Sequence, residues 1–492
     1  MNLLSNQTLD KAQAGIKPND LIRASKVGIV HLGFGAFHRA HQALITDTLM
    51  REKGGDWKIV GVNWGGIDVK GQLTPQDNLY TVGIGYNEDL DLHVIGSIDR
   101  IINSDEVEAV LGYMHSPEVK VVSLTITEKG YCHNPATGHL NLEHPFIQHD
   151  LKNLDKPQSA IGFLVNAIQY RRDNNIAPFT PLTCDNLPEN GHVLEKVVHD
   201  FAKAYDADLY EWIKANIKFP CTMVDRIVPR TTEEDVKFIE KELGLVDNGC
   251  VMTEPFLQWV IEDKFINEKP AWDSTSIENV IFTDNVVPFE EMKLRLLNGT
   301  HSSIAYLGYL AGYKTVAETM ADPKFSTFVR YLMDVEIEPS IHITGIDLNA
   351  YKDSLIERYE NTALQHLTWQ IAMDGSQKIP QRWLETIQYG LDNNVNIEGL
   401  YLAIAAWIKY VKGIDEQGEA IDVLDPLKQR YLDIWAASTD AETLVDGFLA
   451  IEEIFSKKLA GNPQFKANVL AAYRKLDELG SKKAVHQFVS EK

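Results

Sequence analysis

The stretch Lys26-Val-Gly-Ile-Val-His-Leu-Gly33-Phe-Gly35-Ala-Phe-His-Arg39 decides the fold. It begins as a short apolar run of strand length, turns at Gly33-Phe34-Gly35, and continues from Ala36 to Arg51 with helical patterning. A second apolar run, Trp57 to Val62, follows at the spacing of a strand–helix–strand unit. Glycines at such a first turn let the backbone approach a pyrophosphate at a helix N-terminus, so Gly33, Phe34, Gly35, Ala36 and Phe37 are the expected dinucleotide loop. The fingerprint is incomplete. His38 stands at the third glycine position of G-x-G-x-x-G, which implies looser helix packing or a different loop path. Arg39 reads either as a phosphate contact or as a solvated helix-face residue.

The ribose-reading position is open. The second strand ends at Val62-Asn63 without an acid, and Asp68 lies five residues on. Asp68 in that role would accept bonds from the ribose 2′-hydroxyl and favour NAD; Asn63 would tolerate either cofactor, and a loop-surface aspartate looks the same in sequence.

Further β-rich runs at Leu79 to Ile84, Leu92 to Ile98, Val119 to Thr127, Pro178 to Cys184 and Phe219 to Val224 alternate with amphipathic helices such as Ser104 to Met114 and Ala160 to Arg172. Alternation of this kind predicts a mostly parallel, doubly wound sheet. Beyond about residue 285 helical periodicity runs nearly unbroken, through Met292 to Gly312, Lys324 to Asp334, Leu348 to Tyr359, Leu400 to Lys412 and Asp440 to Leu459. The expected architecture is therefore an α/β Rossmann-like domain over residues 1–285, followed by a mostly α-helical domain over residues 286–492.

Composition excludes several classes of function. The 492 residues carry 47 Lys plus Arg against 70 Asp plus Glu, a formal charge of −23 with no dense basic run, so nucleic acid and anionic membrane surfaces are not expected partners. Cys132, Cys184, Cys221 and Cys250 lie far apart, without the close pairs of a zinc or dithiol site, and no metal is expected. No basic n-region precedes an apolar run at the N-terminus, and no apolar stretch reaches membrane-spanning length, so a cytoplasmic location is the expectation. Oligomeric state is not legible.

Three strands end in polar residues: Thr127-Glu128-Lys129, Asp185-Asn186 and Asp225-Arg226. Ligands of open α/β sheets bind outside the carboxyl ends of the strands, although capping and turn formation use the same residue types. The densest group of polar residues is Lys293-Leu-Arg-Leu-Leu-Asn298-Gly-Thr-His301. At about 100° per residue, Asn298 lies roughly 140° and His301 roughly 80° from Lys293, a broad face rather than a stripe. Taken singly, each member also reads as an ordinary surface lysine, capping amide or core histidine.

The Lys-x4-Asn-x2-His spacing and the turn Gly33-Phe-Gly-Ala-Phe-His-Arg-Ala-His41 together resemble the polyol-specific long-chain dehydrogenase family. The similarity continues through Thr125-Ile-Thr-Glu-Lys-Gly-Tyr131, Cys184-Asp-Asn-Leu187, Met223-Val-Asp-Arg-Ile227, Glu254 to Asp263 and Asp374 to Gln381, which is nearly the whole chain. Within the family, Phe219 to Asp225 and Thr368 to Lys378 resemble the fructuronate reductase branch more than the mannitol enzymes.

The resemblance implies a metal-independent, NAD-linked oxidoreductase of CH–OH groups. It would reduce the sugar acid D-fructuronate to D-mannonate in hexuronate (glucuronate) catabolism, with mannitol 2-dehydrogenase or another polyol or hexonate dehydrogenase as the alternative. It assigns general acid/base work to Lys293, hydrogen bonds to the reacting oxygen to Asn186 and Asn298, and a bond to that oxygen or a neighbouring hydroxyl to His301. Asp225 is implied as polar support and Lys378 as a substrate-binding lysine. Where mannitol enzymes carry an arginine, this chain has Gln370, and the cation for a substrate carboxylate is either Lys378 or Arg382.

Overall fold

Five strands make the sheet that the opening stretch begins: β1 (Val27–Leu32), β2 (Lys58–Asn63), β3 (Ile98–Asn103), β4 (Val121–Leu124) and β5 (Thr180–Thr183). They run in the order β3-β2-β1-β4-β5, all parallel. These details come from a computed structural model that describes residues 1–86, 89–134, 137–362 and 366–492. The chain forms two units, Met1–Val287 and Pro288–Lys492.

In the first unit β1 is covered on both faces, which is why it reads as a continuous apolar run. Alternate residues leave in opposite directions. Val30, Leu32, Val60 and Val62 pack with Val110 and Met114 of helix Val107–His115 and with Ile161 and Leu164 of helix Ala160–Asp173. Ile29 and Ile59 pack on the other side with Ala43, Leu44 and Ile45 of helix Gln42–Lys53.

Two expectations need correction here. The run Leu92 to Ile98 belongs to two strands: Asp89–Ile95 pairs antiparallel with Tyr80–Tyr86 in a separate three-stranded sheet, and the chain re-enters the main sheet only at β3. The helix expected over Ala36 to Arg51 is two helices, Ala36–Ala40 and Gln42–Lys53, broken at His41 with φ −120° and ψ −89°.

In the second unit, helices Thr300–Leu310 and Glu398–Tyr410 are buried on nearly every side and pack against each other. The segment Met292 to Gly312, expected as one α-helix, starts instead as a π-helix over Lys293–Gly299 and becomes α-helical at Thr300. Two side chains from elsewhere in the unit engage its carbonyls: Tyr359 Oη donates to Leu297 O at 2.8 Å, and Trp383 Nε1 to Gly299 O at 2.8 Å. External donors in the carbonyl ladder accompany such widened turns. Among the described residues no helix is long and apolar enough to cross a membrane, and no group of three or more His, Cys, Asp or Glu is placed to ligate a metal.

Candidate functional site

The glycine turn leaves β1 where the sheet's strand order reverses, between β1 and β4. Gly33 has φ +92°, and a Cβ there would sit 2.0 Å from Thr125 O, so only glycine fits. Gly35 caps helix Ala36–Ala40, and nothing lies closer than 3.8 Å to where its Cβ would be. The backbone at Gly35 is therefore open to close approach, as a dinucleotide pyrophosphate requires. Ala36 and Phe37 border this turn half-buried, the Phe37 ring stacking on His41 at 5.0 Å.

Phe34 takes part through its backbone only. Its side chain is buried under the turn, in a space that a Cβ at Gly61 would invade. His38 resolves the missing third glycine. Its ring lies flat on His31 with centroids 3.4 Å apart and bonds to Gln42, so ring stacking replaces close backbone packing. Burial pushes His38 down to about 3 and His31 well below the usual histidine range, so both are neutral.

Arg39 is corrected. It is buried, its Nη1 donates to Gly249 O, and its guanidinium lies over the Tyr80 ring at 5.6 Å, so it points into the core rather than toward a phosphate. Asp68 is exposed beyond β2 and caps a short helix by accepting from Gly71 N at 2.8 Å. Gly65 and Gly66 before it have positive φ and open space where a Cβ would stand. Asn63 is buried and bonded to Asn103, which makes it a strut of the strand ends.

At the ends of β4 and β5 the sequence's polar pairs divide their labour. Asp185 accepts from Ile126 N at 3.0 Å, Thr127 N at 2.8 Å and Tyr131 Oη at 2.7 Å. Thr127 has φ +61°, a costly conformation for a β-branched residue, and the Asp185 carboxylate holds it. Burial raises Asp185 to about 6, against the lowering pull of these bonds. Asn186 follows, exposed at the strand end. Asp225 is buried at the end of strand Thr222–Asp225, and Asn190 ties the start of that strand to the segment just beyond β5, donating to Thr222 O and Asp185 O at 2.9 Å each. Arg226 is structural: it bonds Glu254 O and Ala40 O.

In the second unit Lys293, Asn298 and His301 are all buried, at 7%, 6% and 6% exposure. The widened helix changes their phase. At roughly 4.4 residues per turn, five steps from Lys293 bring Asn298 to within about 50° of it, and the return to α-geometry brings His301 close on the other side. The broad face read from sequence becomes a narrow one. Asn298 Nδ2 and His301 Nε2 are buried without a hydrogen-bond partner among the described residues, as is Nδ1 of His366. The His366 ring meets His301 edge-on at 4.7 Å, and Tyr359 stacks on His301 at 5.1 Å. Burial, then His366, then Arg382, Arg358 and Lys378 hold His301 well below its ordinary value, so it is neutral.

Lys378 donates to Ile371 O at 3.1 Å, and Arg382 to Ser302 Oγ at 2.8 Å. Gln370 is exposed on helix Thr368–Ala372. Sequence reading missed Asp185 as a clamp, although the polar strand end signalled it, and missed His366, which no motif marks.

A nucleotide-binding turn at a sheet's reversal point and a buried lysine on one helix face with two unpartnered polar nitrogens define a dinucleotide-linked oxidoreductase. The mannitol dehydrogenase Rossmann domain matches residues 27–274, and the mannitol dehydrogenase C-terminal domain matches residues 285–477. This chain belongs to the mannitol dehydrogenase family. It is 46% identical over 463 residues to the D-mannonate oxidoreductase of Escherichia coli K12, covering 93% of this chain and 94% of that one. It is 38% identical to the mannitol 2-dehydrogenase of Aspergillus clavatus, over 95% of this chain and 94% of that one. The structure of Pseudomonas fluorescens mannitol 2-dehydrogenase in ternary complex with NAD and D-mannitol superposes with a TM-score of 0.88 at 38% identity, covering 99% of this chain and 100% of that one.

Proposed function

We propose that this enzyme interconverts D-fructuronate and D-mannonate with NAD as cofactor. The observation that carries the reading is the face on which buried Lys293 is joined by two polar nitrogens with no partner among the described residues, Asn298 Nδ2 and His301 Nε2. Likeness to a D-mannonate oxidoreductase supports the choice of substrate.

NADH, when bound, supplies the hydride that reaches the C5 carbonyl carbon. The open backbone at Gly35 takes the pyrophosphate, and Asp68 takes the ribose. Asn298 and Asn186 donate hydrogen bonds to the carbonyl oxygen, bonds that strengthen as negative charge gathers there. Lys293 gives its proton to the developing alkoxide, completing the C5 alcohol, and takes one back in the oxidative direction. His301, neutral at working pH, is a hydrogen-bonding partner and not a proton source. Asp225 supports the substrate's polar groups, and Lys378 binds it.

The test follows NADH oxidation with D-fructuronate, D-tagaturonate and D-fructose, in wild type and Lys293→Ala. Fructuronate is expected to turn over fastest, and the variant to lose about 10²- to 10⁴-fold in kcat. Faster turnover of fructose than of fructuronate overturns the reading and points to a polyol dehydrogenase.

A further inference from the structure

Among the described residues no carboxylate pairs with the Arg382 guanidinium. Its two hydrogen bonds among the described residues both leave from Nη1, to Ser302 Oγ at 2.8 Å and to Asn298 O at 3.4 Å. Nε and Nη2, the edge that pairs in bidentate fashion with a carboxylate, make none, and the ionisable neighbours that act on this arginine are two tyrosine hydroxyls, Tyr306 and Tyr359. Low-polarity surroundings push its pKa down to about 10. A half-buried cation without a counter-ion is destabilising, and an arriving anion removes the penalty.

The same corner holds His366. Its Nδ1 is buried without a partner, and its ring abuts His301, whose field also includes Arg382. Burial, with Lys378 adding to it, brings His366 down to about 4, so it meets a ligand as a neutral imidazole. Both groups flank His301: His366 meets its ring edge-on at 4.7 Å, and Arg382 bonds to Ser302 Oγ, the next residue, and to Asn298 O, one turn earlier. Neutral polyols would satisfy the imidazoles. They would leave the guanidinium edge without its natural complement.

We propose that Arg382 and His366 form the subsite that holds the carboxylate of a sugar-acid substrate, which makes His366 a specificity-determining residue. The carboxylate accepts two parallel bonds from Nε and Nη2 of Arg382 and a third from Nδ1–H of His366, while Asn298 on the adjoining helix face serves the reacting oxygen. The proposal rests on the reading of the enzyme as a hexonate oxidoreductase and selects Arg382 over Lys378 as the carboxylate's main partner.

D-Mannonate and D-mannitol differ only in a carboxylate against a hydroxymethyl group, so the ratio of their kcat/KM values isolates this subsite. The test measures that ratio with NAD⁺ for wild type, Arg382→Met, His366→Leu and His366→Asn, with NADH affinity and Tm recorded for each. Arg382→Met and His366→Leu are expected to lower the ratio about 10- to 100-fold, mostly through KM for mannonate, as loss of bonds to a charged group does. His366→Asn, whose amide replaces Nδ1–H, should recover most of it.

Equal losses on both substrates, or an unchanged ratio, overturn the subsite. If Arg382→Met fails to fold, the leucine and asparagine variants of His366 decide the matter. Wild type that oxidises mannitol and ignores mannonate overturns the hexonate reading itself. Wild type that prefers mannonate while all variants keep the ratio overturns only the subsite.

Discussion

At Thr127 a strained backbone is gripped by a carboxylate that accepts three hydrogen bonds from the protein itself, so Asp185 is committed to the fold. At Asn298 and His301 the backbone is regular, π-helical at the first and α-helical at the second, yet each side chain ends in a buried polar nitrogen with no partner among the described residues. The first region uses polar groups to fix a shape. The second keeps polar groups open and bears the cost of desolvating them, about 1–3 kcal/mol for each unpaired group. A dehydrogenase needs both: a turn whose geometry does not depend on what binds, and donors whose partners arrive with the substrate.

Asn298→Leu tests the contrast most severely. It removes an unfilled donor from the interior, so Tm should hold or rise, while kcat for fructuronate falls by about 10²- to 10³-fold. A large fall in Tm with intact kcat would show that Asn298 belongs with the saturated region instead.

Asp185→Asn should behave in the opposite sense. The amide keeps one acceptor and turns an NH2 toward a backbone N–H, costing about 1–3 kcal/mol of stability and weakening NADH binding. Adding Thr127→Gly relieves the strain that Asp185 restrains and should return about 1 kcal/mol. If the glycine returns nothing, the carboxylate is not there to hold that turn.

The smallest expected effect concerns the stacked histidines under the glycine turn. His38 titrates near 3 in the folded chain against about 6.5 unfolded. The unfolded state therefore binds more protons as pH falls below 6.5, and the stability present above that pH is lost on acidification. His38→Gln should flatten the fall in urea stability between pH 6 and 4 by about 1.4 kcal/mol per pH unit. An unchanged slope would mean that His38 is protonated in the native protein.

Much of this was readable from residues 26 to 39 and 293 to 301 alone. Apolar runs of strand length, a glycine turn and the change to unbroken helical periodicity near 285 are local signals, and they carry the two-part architecture. What escaped the sequence is what distant residues decide. Arg39 looks like a phosphate ligand until Gly249 and Tyr80 claim it. The break at His41 accompanies a ring stack between His31 and His38 that no helical pattern encodes. His366 lies 65 residues from His301 in the chain, so no spacing could pair them.

The wide helix at Lys293–Gly299 has one more consequence. A π-turn holds one residue more than an α-turn, so its geometry depends on the number of residues as much as on their kind. Tightening that segment to an α-helix at unchanged length would swing His301 and everything after it by roughly 100° relative to Lys293, whereas deleting one residue as well would nearly restore the phase. The face shared by Lys293, Asn298 and His301 is thus set by how tightly the segment winds as much as by its spacing: the wide turn absorbs one residue that a plain α-helix would convert into a rotation.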